Sequence, residues 1–316
     1  MNYSEFLQTK APRVEAIGFE PGPIDPILFN WQADIVRWNI KRGRAANFQD
    51  CGLGKTIQSI EWIRQMAPNC GMIVAPLGVT RQTIKEAKDM LGVEIQYCTE
   101  PQHKPGLWIT NYDRLHNFVD SIPEYEAIAL DESSILKSLD GKTRTLLLSE
   151  FTAIKYRSCW TATPAPNDLT ELCNHAEFLG VMSRKEMLAT FFVHDSEESG
   201  DRGWRLKKHA QEDFWRWVAQ WAVYIRKPSD LGYDDGNFVL PPLNINQVTL
   251  DSEFVQDGML FPSLAKGITG RTSARKATMD DRIREAARII QESGEQWIVW
   301  HGLNDEGVKL NRILNG

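Results

Sequence analysis

One stretch constrains this chain more than any other: Cys51-Gly52-Leu53-Gly54-Lys55-Thr56. It stands between Ala45–Phe48, a short run of strand character, and Thr56–Met66, where Ile57, Ile60 and Ile63 recur on one side of a helix. Strand, glycine turn and helix in that order make a phosphate loop. The glycines let backbone N–H groups turn inward around phosphate oxygens, and the helix N-terminus adds positive potential. Lys55 is placed to reach the β- and γ-phosphates, and Thr56 to put its hydroxyl on Mg²⁺. The full pattern G-x-x-x-x-G-K-[ST] has glycine where this chain has Gln49.

A chain that opens this way needs a sheet to carry the loop, and the flanking sequence supplies one. Asn30–Asn39 reads as a helix with Trp31, Ile35 and Trp38 on one face, and Arg81–Leu91 as another. Met72–Ala75, Leu107–Thr110, Ala127–Leu130 and Ser158–Ala162 read as short apolar strands. Strands buried on both faces and spaced by helices predict an α/β fold with a mostly parallel sheet. Residues 1–28, with Pro12, Pro21, Pro23 and Pro26, read as an extended lead-in. After about residue 180 the pattern changes. Residues 195–209 look like a charged surface loop, 211–226 like one helix bearing Trp215, Trp217 and Trp221, and 228–242 like a linker. A helix over Asp280–Glu292 then precedes an apolar run, Trp297–Trp300.

Two further motifs fall at strand ends. Asp131-Glu132 closes the apolar run Ala127–Leu130, where a second nucleotide motif belongs, with the phosphate loop on a neighbouring strand. Asp131 is suited to hold Mg²⁺, and Glu132 to orient and deprotonate an attacking water. Thr161-Ala162-Thr163-Pro164 ends another strand, and threonine hydroxyls there can bridge to a carboxylate on the adjacent one.

Composition narrows the partners. Lys and Arg number 36 against 42 Asp and Glu, a net charge of -6, so nucleic acid could be held only by local basic stripes. One stripe, Arg202, Arg205, Lys207 and Lys208, is offset by Asp195, Glu197, Glu198 and Asp201; another is Lys41, Arg42 and Arg44. No apolar run approaches a membrane span, and the N-terminus lacks the pattern of a secretory leader. Five cysteines without a CxxC pair suit a reducing, cytoplasmic compartment. Cys173 and His175 lie close together but have no second pair at zinc spacing. Phe214, Trp217, Trp221 and Tyr224 stand near helical spacing, which favours core packing over stacking on bases.

In order and local wording, the motifs resemble helicase superfamily 2, in its Snf-type, chromatin-remodeller-like branch. GLGKT (52–56) is similar to that branch's phosphate loop, VAPLGV (74–79) to its motif Ia and ITNYDRL (109–115) to its motif Ib. DESSILKSLDGKTRTLLL (131–148) resembles its DEAH-type motif II, with Ser134 in place of the histidine. TATPAPNDLTEL (161–172) resembles motif III, with Asn167, Glu171 and Leu172 in its spacing. Phe29 and Gln32 resemble the aromatic-plus-glutamine element that reads adenine, while YIRKPSD (224–230) and LPP (240–242) resemble segments between the two lobes. The compact spacing is most similar to helicase-like ATPases of tailed phages, whose compartment would be the host cytoplasm.

The resemblance implies a RecA-like P-loop NTPase lobe over 29–180, a helical insertion and linker over 181–242, and the start of a second RecA-like lobe over 243–316. Trp297–His301 would be that second lobe's first strand, and the chain would stop before its arginine finger, leaving weak and slow ATP hydrolysis. The rest of that lobe would come from the same chain or another. The implied cofactors are ATP and Mg²⁺, and the implied activity is that of a nucleic-acid-stimulated ATPase motor. Phe29, Gln32, Gly52, Gly54, Lys55 and Thr56 would bind the nucleotide, with Thr56 and Asp131 on the metal. Lys55 and Glu132 would be catalytic, and Thr161 and Thr163 would couple the site to its track. Arg81, Asn111, Tyr112 and Arg114 would meet nucleic acid, DNA in preference to RNA. Two alternatives stay open: an RNA helicase of the same superfamily, and a nucleotide-gated DNA-binding module that does not turn over ATP.

Overall fold

The sheet implied by the apolar runs is present, and it is wider than they suggest. The computed structural model describes residues 12–137, 141–194, 203–239, 241–250 and 267–315. By Cα proximity the chain divides into two units, Met1–Leu240 and Pro241–Gly316.

The first unit opens with helix α1 (Asn30–Arg42), strand β1 (Arg44–Gln49) and helix α2 (Lys55–Met66). Strand β2 (Cys70–Ala75), helix α3 (Leu77–Leu91) and strands β3 (Ile95–Tyr97) and β4 (Gly106–Asn111) follow. A 3₁₀ stretch, Tyr112–Glu124, leads to β5 (Ala127–Asp131), and helix α4 (Lys142–Ser149) to β6 (Tyr156–Thr161). Then come α5 (Leu172–Leu179), α6 (Arg184–Phe191), β7 (Phe192–His194), β8 (Trp204–Leu206), α7 (Gln211–Val218) and β9 (Ala222–Ile225). Seven of these strands form one sheet in the order β3-β4-β2-β5-β6-β1-β9, every pairing parallel.

Alternation within the strands builds two cores. Met72, Val74, Ile128 and Leu130 face one side with Phe118, Phe151, Phe178, Phe214, Trp217 and Trp221. Ile73, Ala75, Ala127 and Ala129 face the other, against Val36, Ile40, Ile57, Ile60 and Ile63 from α1 and α2. Burial on both faces is why these strands read as unbroken apolar runs. All these strands run parallel, so their C-terminal ends share one edge, and the phosphate loop, Asp131-Glu132 and Thr161 all lie there.

Four expectations need correction. The single helix expected over 211–226 ends at Val218, and Ala222–Ile225 is a strand that extends the sheet beside β1. The lobe therefore does not close near residue 180. Part of the loop expected over 195–209 is strand β8, paired antiparallel with β7, and residues 195–202, with Asp195, Glu197, Glu198, Asp201 and Arg202, lie outside the described residues. The strand of the phosphate loop is not the neighbour of the Asp131 strand, because β6 lies between them.

In the second unit, α8 (Gly267–Ala277), α9 (Met279–Ser293) and α10 (Asn304–Asn315) are helices. Ile283, Ala287 and Leu310 make a small core there, and Lys309 Nζ meets Asp280 at 2.7 Å. Trp297–His301, expected as a strand, has no strand assignment or pairing among the described residues, and Trp300 is 90% exposed. No helix among the described residues is long and apolar enough to cross a membrane.

Candidate nucleotide site

Between β1 and α2 the chain turns through Gly52 and Gly54, at φ +81° and +69°, a region that favours glycine. A β-carbon on Gly54 would also come within 2.7 Å of Gln32 Nε2. Its backbone conformation favours glycine, and a side chain there would also have to displace the Gln32 amide. Lys55 opens the helix, and its Nζ donates to the carbonyls of Gln49 at 3.0 Å and Asp50 at 3.1 Å, folding back over the loop it serves.

Gln49, at the position of the missing glycine, is fully buried beneath the loop. Its amide exchanges hydrogen bonds with Gln58 at 2.8 Å, and Gln58 Nε2 also donates to the Leu53 carbonyl at 3.0 Å. Gln32 Nε2 donates to the same carbonyl at 3.0 Å, while Gln32 Oε1 accepts from the Phe29 N–H at 3.0 Å. Two glutamines thus hold the turn from either side. Phe29 is exposed and meets Phe238 edge-to-face, with ring centres 5.1 Å apart. Spacing gave no sign of the Gln49–Gln58 pair; the departure at Gln49 was the one clue.

Asp131 ends β5 and is buried. Burial pushes its carboxyl up to about 6 and the Glu132 carboxylate pushes the same way, while the Glu132 N–H and the Lys55 ammonium pull it down. That Lys55 is felt there places it and Asp131 in one electrostatic neighbourhood, although their strands are not adjacent. Glu132 is exposed and has φ +50°, a left-handed conformation that costs a residue with a β-carbon about 1–2 kcal/mol. Thr161, at the end of the intervening β6, donates from Oγ1 to Glu132 Oε2 at 3.4 Å, and the Thr163 N–H donates to Thr161 Oγ1 at 3.1 Å. The bridge to a carboxylate on the adjacent strand is realised by Thr161, whereas the Thr163 side chain is exposed.

The four residues matched to nucleic acid divide. Arg81, in the second turn of α3, and Arg114 are exposed. Asn111 is buried and accepts from the Tyr97 hydroxyl at 2.9 Å. Tyr112 is turned inward, its hydroxyl donating to the Asp131 carbonyl at 2.6 Å. Its place is beneath Asp131 rather than on the surface, since a phenol at the start of the 3₁₀ stretch reaches across to the end of β5. Ser133 and His175, both fully buried, meet at 3.2 Å between Ser133 Oγ and His175 Nε2.

No protein-family model matches the sequence, and neither does any curated protein. Among solved structures, the SWI2/SNF2 ATPase core of Sulfolobus solfataricus, in complex with double-stranded DNA, is 18% identical, with a TM-score of 0.53 over 71% of this chain and 48% of that chain. The chain thus spans about half the length of that relative. The UvsW helicase of bacteriophage T4 is 12% identical, with a TM-score of 0.40 over 57% of this chain and 64% of that one. The likeness to the first of these shows the fold: an α/β lobe built on a mostly parallel sheet, as in that ATPase core.

Proposed function

We propose that the chain is the ATP-binding motor lobe of a nucleic-acid-stimulated ATPase, of helicase or translocase type and of the Snf branch, with DNA as its track. The observation that carries this reading is the line of three strand ends. The phosphate loop leaves β1, Asp131-Glu132 leaves β5, and Thr161 on β6 stands between them with its hydroxyl on Glu132. Ligands of open α/β sheets bind at such strand ends.

The residues present fit Mg-ATP. Mg²⁺ in nucleotide sites takes one or two protein oxygens together with the phosphates, rather than a protein cage. Among the described residues no cluster of three or more His, Cys, Asp or Glu is found, and one buried carboxylate stands near the loop lysine. Thr56 and Asp131 would hold the ion, which neutralises charge on the phosphate oxygens when bound. Gly52 and Gly54 free the loop's N–H groups for phosphate, and Lys55 exchanges its two backbone carbonyls for phosphate oxygens. Gln32 and Phe29 stand on the adenine side. Glu132 accepts the proton of the attacking water, and Thr161 holds that carboxylate in line.

For the track, Arg81 and Arg114 follow β2 and β4 on the same edge of the sheet as the phosphate loop. Contacts of this kind go to the phosphate backbone, so binding is largely independent of sequence and weakens with salt. The DNA preference rests on the Snf-like motifs and on the relative solved with double-stranded DNA. The test is Mg-ATP hydrolysis with and without duplex DNA, single-stranded DNA and RNA. Stimulation by DNA supports the proposal, stimulation by RNA alone makes the chain an RNA helicase, and ATP binding without turnover makes it a nucleotide-gated module.

A further inference from the structure

The strained backbone at Glu132 is clamped on both sides. Before it, the Asp131 carbonyl accepts the Tyr112 hydroxyl at 2.6 Å. After it, Ser133 Oγ meets His175 Nε2 at 3.2 Å. A left-handed non-glycine residue persists only where its surroundings over-determine it, and these two contacts do so from opposite directions.

The second clamp reaches further than the first. His175 lies on α5, the helix that follows the Thr161–Leu172 motif, and is wholly buried. Its ring stands edge-on to Phe48, with centres 5.2 Å apart and an interplanar angle of 83°. Phe48 pairs in register with Thr161 and lies two residues before Asp50, where the phosphate loop begins. One imidazole therefore touches the strand of the phosphate loop and the residue after Glu132. Burial pushes His175 down to about 4, so the ring is neutral. An apolar residue at 175 would leave the buried Ser133 hydroxyl without this partner, so the two groups hold each other in place.

We infer that His175 is a positioning residue that acts through Ser133 to hold the Glu132 carboxylate in its working orientation and to tie that orientation to the phosphate-loop strand. The inference rests on the ATPase reading above. It assigns a role to a histidine whose only earlier suggestion was a metal pair with Cys173, and it accounts for a serine directly after the Asp-Glu pair.

The test compares three variants with wild type by single-turnover hydrolysis of Mg-ATP, which reads slow rates. Binding of a fluorescent ATP analogue and thermal melting are followed in parallel. His175→Phe keeps the ring against Phe48 and loses the hydrogen bond. Ser133→Ala removes the other partner, and His175→Gln keeps a polar group within reach of Ser133. His175→Phe and Ser133→Ala should each slow hydrolysis roughly 10- to 100-fold, the scale of a displaced catalytic group. Analogue affinity should stay within about twofold, since a contact that acts only on the chemical step leaves binding alone. His175→Gln should recover most of the rate, and Ser133→Ala/His175→Phe should be no slower than either single variant. Unchanged rates, rates and affinity falling together, or multiplicative losses in the double variant would overturn the inference. Should His175→Phe not fold, Ser133→Ala alone decides between these outcomes. A wild-type protein without hydrolysis overturns the ATPase reading along with it, whereas an active wild type with unaffected variants overturns only the role of His175.

Discussion

Gln32 Nε2 donates to the Leu53 carbonyl across 3.0 Å, so the residue matched to adenine also holds the phosphate loop in shape. Its amide has one N–H and one lone pair to spare for a base. Gln32→Ala should therefore weaken Mg-ATP and Mg-GTP together by loosening Leu53, and weaken ATP further by removing the adenine contact. Titration of both nucleotides checks this. Equal losses would leave Gln32 as a brace alone.

Lys55 and Glu132 should fail in different ways. Lys55→Ala removes a charge-assisted contact to the β- and γ-phosphates and should abolish productive ATP binding. Glu132→Gln removes the base and no ligand, so Mg-ATP should still bind while hydrolysis falls roughly 10²–10⁴-fold. Nucleotide affinity and single-turnover rate, measured side by side, separate the two. Loss of nucleotide by Glu132→Gln would mean that its carboxylate holds the metal instead.

Cys51 offers a direct probe of the loop. It is the exposed cysteine of the chain; Cys70 is half-buried and Cys98, Cys159 and Cys173 are buried. A maleimide should label Cys51 first, and Mg-ATP should protect it because phosphate seats against the same loop. Peptide mapping after a short pulse, with and without nucleotide, reads the outcome. Labelling at an unchanged rate under saturating Mg-ATP would place the nucleotide elsewhere.

Acid should expose the burial of His175. Unfolded, it titrates near 6.5, whereas folded it titrates at about 4. Between these values the unfolded chain holds a proton that the folded chain lacks, so stability falls as pH falls from about 6.5 to 4. At 1.36 kcal/mol per unit, the full loss is about 3 kcal/mol. Asp131 works in the opposite sense. Its carboxyl, raised to about 6, is protonated first in the folded state, which adds stability as pH falls through that value. His175→Phe should flatten the acid limb of stability, and Asp131→Asn should steepen it. Denaturant melts at pH 7, 6 and 5 measure both slopes; a His175→Phe slope equal to wild type would show that the ring is not held neutral.

The sequence by itself determined what is local. Glycine spacing, the helix signal after it and the short apolar runs depend on neighbours a few residues apart, so the strand–loop–helix unit and the strand ends with their motifs were legible. It misread Ala222–Ile225 because Phe214, Trp217, Trp221 and Tyr224 keep a helical rhythm past Val218. Only the sheet supplied β1 as the partner that makes this segment a strand. Tertiary structure alone decided that β6 lies between β1 and β5, which puts Thr161 beside Glu132 across 29 residues of chain. It alone turned Tyr112 inward and brought His175 to Ser133 across 42 residues. Contacts between distant residues follow from which strands become neighbours, and no local periodicity encodes that order. The phosphate loop was therefore readable from spacing, while the residues that brace it and those that contact Glu132 and its neighbours emerged only once the sheet had formed.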